Sequence, residues 1–160
     1  MTVPVKVTGE IKGVEGLASY IKGVQEGLVT ESMLEGIASK VKENIIKRTG
    51  EGRDFRSERF SPYSKEWKRK RAGSGKETAV VDLKFTGKML AGIHSEAVKG
   101  KNEARLYFDD FAEGKKAAYH NVTGAGWSKV KREFFGLGAE DKKFIRGVLL
   151  DHIEKVLKVK

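Results

Sequence analysis

The sequence predicts an α+β fold in a single domain. An antiparallel sheet of about four strands carries a long helix near residues 30–48 and a C-terminal helix, with a long basic loop between them. Three observations lead there. Apolar residues recur at three- and four-residue spacing near both ends of the chain, several short stretches are strand-like, and 160 residues suffice for one core without disulfides. The absence of cysteine excludes a disulfide scaffold and thiolate chemistry. The opening MTVPVKVTGE lacks the apolar core of a secretory signal. No apolar run approaches the ~20 residues of a membrane-spanning helix, so the expectation is a soluble, non-exported domain.

Val3, Val5 and Val7 alternate with other residues in Val3–Ile11, the period of a half-buried strand, and Pro4 confines that strand to a sheet edge. Val14, Leu17, Ala18, Ile21, Val24 and Leu28 form a helical stripe. Gly16, Gly23 and Gly27 weaken it by about 1 kcal/mol each relative to alanine, so a frayed helix is expected there. Thr30 is an N-cap, Glu31 suits the positive end of the helix dipole, and Leu34, Ile37, Ala38, Val41 and Ile45 make the clearest stripe in the chain, stopped by Gly50.

Glu51–Ser61 has no clean period and sets Phe55 and Phe60 among Arg53, Arg56 and Arg59. Such interleaving suits base stacking or the anchoring of a long loop, and anchoring is the stronger reading. Ser61-Pro62 opens a short helix with Tyr63 and Trp67 on one face and Lys68, Arg69, Lys70 and Arg71 around them. Ala72–Thr78 is a break, Ala79–Asp82 leads to Phe85-Thr86-Gly87, and Lys88–Ala91 is one helical turn. Ile93–Val98 and Ala104–Phe108 flank Lys99–Asn102 as a hairpin. Asp109–Gly114 reads as a polar turn, Ala117–Asn121 as a short helix, and Thr123–Gly126 as a glycine loop. After the basic run Lys129–Arg132, Phe134-Phe135 reads as an aromatic anchor. The final helix spans Ala139–Lys158, acidic at its start and basic at its end.

The 32 basic and 22 acidic residues give a net charge of +10. Between Lys47 and Lys76, eleven Lys/Arg stand against four Asp/Glu, a local net of +7. This imbalance points to an anionic partner, whether nucleic acid, an acidic protein face or a membrane surface, or else to a solvated loop.

Motifs for catalysis are missing. Gly73-Ser74-Gly75-Lys76 fails as a phosphate loop, because Lys70 stands where the first glycine belongs and Glu77 where a Ser/Thr belongs. His94, His120 and His152 have no metal-ligand spacing. Asp109-Asp110 and Glu140-Asp141 read as a turn and a helix cap, and no nucleophile elbow occurs. The expectation is a non-enzyme without cofactor or metal.

Lys116-Ala117, His120-Asn121, the Gly124–Gly126 loop, Lys129, Phe134-Phe135-Gly136-Leu137 and the acidic helix start form an ordered pattern. Upstream lie Asp54-Phe55…Phe60-Ser61-Pro62-Tyr63-Ser64, Asp82-Leu83…Thr86-Gly87-Lys88-Met89-Leu90, and strands closing at Phe108. In that order, over roughly residues 28–155, the chain resembles the phage virion morphogenesis family, the tail-completion proteins of contractile-tailed phages. Gly138 departs from the serine- or aspartate-type cap expected before the last helix.

The resemblance implies a structural protein that completes the tail and joins head to tail through protein–protein contacts in a neck or tail-end ring. Its partners would be the tail tube and head–tail connector proteins. The ring would be homo-oligomeric, a hexamer by tail symmetry, near phage DNA and away from membranes, located in the virion and during assembly in host cytoplasm. Within it, a flexible basic arm at about 51–78 is the expected partner-binding element. Phe55, Phe60, Tyr63 and Trp67 are its apolar anchors, and Arg56, Arg59, Lys68, Arg69, Lys70 and Arg71 its steering charges. Trp127, beside two glycines, is the second candidate. The alternative is a nucleic-acid-binding domain using the basic 47–76 segment, which would show steep salt dependence.

Overall fold

The computed structural model describes residues 5–7, 29–127 and 129–158. In chain order the elements are β1 (Val5–Val7), α1 (Glu31–Gly50), α2 (Lys65–Gly73), α3 (Lys88–Ala91), β2 (Ile93–Ala97), β3 (Ala104–Phe108), α4 (Phe111–Ala118), a π-helical turn (Tyr119–Thr123) and α5 (Ala139–Lys158). The helix expected over Val14–Leu28 lies outside the described residues, as does all of the Val3–Ile11 strand except β1.

The α+β class holds, with a three-stranded antiparallel sheet in the order β1-β3-β2. The β2–β3 hairpin pairs Ile93 with Phe108 and Ala97 with Ala104, while Val5 pairs with Leu106. Among the described strands β1 takes an edge. About four strands were expected, and three pair among the described residues. Residues 79–85 turn locally, where the Asp82 carboxylate accepts the Lys84 N–H at 2.9 Å and Leu83 sits at φ 53°.

α1 forms as its stripe dictates. The Thr30 hydroxyl accepts the Met33 N–H at 3.2 Å, and Leu34, Ile37, Ala38, Val41 and Ile45 are buried on the face toward β2 and β3. The core joins Ile37, Val41 and Ile45 to Met89, Leu90, Ile93, Leu106, Phe134 and Phe135. Phe134 is fully enclosed, and burial of a side chain that size contributes roughly 1.5–3 kcal/mol. Phe134-Phe135 is therefore the anchor its sequence indicates.

Two local expectations change. Asp109–Gly114 is not a polar turn: Asp110 caps α4, its carboxylate accepting the Glu113 N–H at 3.0 Å, so the helix starts at Phe111 and passes into the π-helical turn. At the start of α5, Gly138 has a packing reason. A Cβ there would sit 2.5 Å from the Phe55 carbonyl oxygen. The capping role passes to the third helical residue, Asp141, whose carboxylate reaches back to the Gly138 N–H at 2.9 Å. The same buried carboxylate accepts Arg48 at 2.5 Å and Asn44 at 2.9 Å, which fastens the end of α1 to the start of α5.

Candidate functional site

Residues 51–78 do not form the long loop or arm that their charge suggested. Gly52–Phe60 doubles back, with Arg53 and Arg59 bridged side by side and the Phe60 N–H donating to the Gly52 carbonyl at 2.8 Å. The Asp54 carboxylate holds the bend by accepting the N–H groups of Arg56 at 2.8 Å and Glu58 at 2.9 Å. α2 then starts at a Ser64 cap, its hydroxyl accepting the Trp67 N–H at 3.2 Å.

The interior of this segment is a polar knot around Tyr63. Arg71, only 1% exposed, donates to Asp82 at 2.8 Å and to the Glu77 carbonyl at 2.6 Å, with its guanidinium 4.6 Å from the Tyr63 ring centre. Arg132 lies 5.5 Å from the same ring and donates to the carbonyls of Ser61 and Pro62. The Tyr63 hydroxyl accepts the Leu83 N–H at 3.2 Å. Burial raises the Tyr63 hydroxyl pKa above its ordinary value despite both cations, and burial lowers that of Arg132. These groups brace residues 61–83 and reach no solvent-facing partner.

The expected partner-binding residues therefore separate. Phe60, Tyr63 and Arg71 are buried, which removes them as surface contacts. Trp67 is half-buried and packs on Phe85, ring centres 5.2 Å apart, with the Lys70 ammonium 5.0 Å above it. Phe55 is half-buried against Gly136, and Arg56 lies over its ring at 4.4 Å while pairing with Glu133 at 2.6 Å. That hydrogen bond to Glu133 raises the Arg56 pKa above its usual value. Arg59, Arg69 and Lys70 are exposed and Lys68 half-exposed, and none has a carboxylate partner among the described residues.

The second region, residues 109–132, is arranged the other way. The inner face of α4 holds Gly114, where a Cβ would come within 3.3 Å of Phe108, with buried Ala117 and Glu113. Below it the Asn121 amide clamps the backbone of Phe135 in both senses, at 2.7 and 3.0 Å. The outer side carries Phe111, Tyr119 and Val122, which are 68%, 46% and 55% exposed, with Lys115 5.9 Å from the Tyr119 ring.

The glycine loop follows in the chain. Ala125 bridges Val130, with the Ala125 N–H donating to the Val130 carbonyl at 3.1 Å. Gly124 stands at φ 84°, and a Cβ on it would fall 2.0 Å from the Lys129 carbonyl oxygen, so only glycine closes this loop. The Arg132 N–H ties the loop base to the His120 carbonyl at 2.7 Å. At the tip Trp127 is 102% exposed, touching nothing. Sequence reasoning singled out Trp127 but missed Phe111, Tyr119 and Val122. The missed signal was Asp110-x-x-Glu113, a capping-box pattern that would have started the helix at Phe111.

His120 lies beneath this loop. Burial first, and then Arg132, push its pKa down to about 4, and its Nδ1 is enclosed without a hydrogen-bond partner. It is thus a neutral packed side chain at neutral pH. The main cleft, about 190 Å³ between α1, β3 and α5, is lined by apolar residues such as Leu34, Val41, Leu106 and Leu149, with Asn102 at its edge. It brings no titratable group to a substrate. Among the described residues no three His, Asp or Glu side chains gather as a metal site requires, and no helix is long and apolar enough to cross a membrane.

No family model, curated protein or solved structure matches the chain.

Proposed function

We propose that this chain is a structural protein of phage tail assembly, one that completes the tail and helps join it to the head as a subunit of a ring. The single observation behind this reading is Trp127: a fully exposed tryptophan on a glycine-closed loop, with Phe111, Tyr119 and Val122 exposed in the helix and turn before it. Tryptophan and tyrosine are the side chains most often found at the energetic centre of protein interfaces. A tryptophan buries about 150–250 Å² on docking, which no isolated subunit gains. A surface of this kind on one side of a subunit, meeting a different surface on the next, closes into a ring when the rotation divides a full turn.

The residues that carry the family resemblance support this reading by the work they do. Phe134 and Phe135 fill the core, Asn121 clamps Phe135, and Gly124 shapes the loop that lifts Trp127. All hold the docking face in place, and none makes a reaction site.

The reading is tested by producing the chain together with tail-tube and connector proteins of a contractile-tailed phage from the same source, then imaging the product. Rings seated on tube ends are expected for the wild type, and bare tube ends for Trp127→Ala. Equal capping by both proteins would contradict the proposal.

A further inference from the structure

The geometry of α2 points to a second surface, one that binds the phosphate backbone of a duplex nucleic acid. α2 turns Arg71 inward, where Asp82 neutralises it, and leaves Lys65, Lys68, Arg69 and Lys70 on its other sides. The bridged pair Arg53 and Arg59 precedes it, both exposed. None of these six has a carboxylate partner among the described residues. Three nearby acids are used internally: Asp54 on backbone N–H groups, Glu77 on the N–H groups of Thr78 and Ala79, Asp82 on Arg71; Glu58 and Glu66 stay exposed and leave the cations in excess. Those backbone bonds hold Glu77 below the usual carboxylate range, keeping it charged and occupied.

What this face lacks decides between anionic partners. A protein interface needs an apolar centre that loses its water. Here Phe60 and Tyr63 are buried and Trp67 is packed on Phe85, so an acidic protein would find charge without an anchor. Binding of single strands relies on exposed aromatic rings for base stacking, and the same burial withholds them. A duplex requires neither, because its phosphates are met by cations on a rigid support. This surface is separate from the Trp127 region, so either can fail alone.

Two triple variants test the proposal with a fluorescent 20-base-pair duplex, its binding followed by anisotropy from 50 to 200 mM salt. One is Lys65→Gln/Lys68→Gln/Arg69→Gln on α2. The other is Lys99→Gln/Lys101→Gln/Lys142→Gln, which removes equal charge elsewhere on the surface. The wild type is expected to bind with a steep salt dependence. The α2 triple should bind at least about tenfold more weakly, with the slope of log K against log salt reduced by about 3, roughly one for each phosphate left without its cation. The control triple should keep the wild-type slope, and both should retain the wild-type melting temperature. Three results would overturn the proposal: no duplex binding by the wild type at 50 mM salt, equal losses in the two triples, or displacement of the duplex by polyglutamate as readily as by unlabelled duplex.

Discussion

Residues 51–78 and 109–132 are alike as sequence, basic stretches carrying three or four aromatic side chains, yet they fold in opposite senses. In the first, the rings go in and the cations stay out: Phe60 and Tyr63 are buried while Arg59, Arg69 and Lys70 face solvent. In the second, Phe111, Tyr119 and Trp127 are exposed, and the inward positions belong to Glu113, Gly114, Ala117 and Arg132. The difference lies in what each segment offers the interior. Asp54 and Asp82 give the first segment internal acceptors, so that even an arginine can be enclosed beside Tyr63. In the second, Gly114 brings α4 so close to Phe108 that even a Cβ would be tight, and its aromatic side chains lie on the other side. Composition is shared, and the partners present in the core decide which face is apolar.

The largest expected effect breaks the comparison on its buried side. Arg71→Ala strands Asp82 and uncovers Tyr63, and should destabilise the fold by about 3–5 kcal/mol, the cost of breaking an enclosed pair. Arg69→Ala, two residues away and exposed, should change stability by no more than about 0.5 kcal/mol. Urea unfolding measures both, and equal costs would remove the distinction between inward and outward cations.

The next effect is pH-dependent. His120 has a folded pKa lowered from 6.5 to about 4, so the unfolded chain binds the extra proton first as pH falls. Its neutral form therefore contributes stability that is complete above pH 6.5 and is lost as pH falls toward about 4. The wild type should lose roughly 2 kcal/mol relative to His120→Gln between pH 7.5 and 4.5. Parallel stability curves for the two proteins would show that His120 is not enclosed as described.

A smaller loss is expected from Gly124→Ala. The φ of 84° and the 2.0 Å approach to Lys129 force the loop open, at a cost of at least about 1 kcal/mol. Because the loop lifts Trp127, this variant should also lose oligomerisation. Smallest in stability is Trp127→Ala, expected within about 0.5 kcal/mol of wild type because the ring touches nothing in the free subunit.

Much of the scaffold was legible in the sequence for a simple physical reason. α1 and α5 each bury one apolar stripe, so their periodicity survives in the sequence: α5 runs over Ala139–Lys158 as expected, and α1 ends at Gly50. The β2–β3 hairpin follows its turn residues, and β1 takes an edge among the described strands. The site was legible only in part. Trp127 stood out between glycines, but Phe111 and Val122 belong to residue types that are usually inside, and nothing local says otherwise. Arg71 failed in the opposite sense: arginine is almost never fully enclosed, and its partner Asp82 lies eleven residues away. Asp109–Gly114 reads as a polar turn from its sequence, and the capping bond from the Glu113 N–H to Asp110 makes it the start of a helix instead.

The central claim, that the 111–127 surface is where subunits meet, is tested most directly by the molar mass in solution. Light scattering of purified wild type and Trp127→Ala from 50 to 500 mM salt should give a ring-sized oligomer for the first, insensitive to salt because apolar burial holds it, and a monomer for the second. The same mass for both proteins, or a wild-type oligomer that dissolves as salt rises, would contradict it.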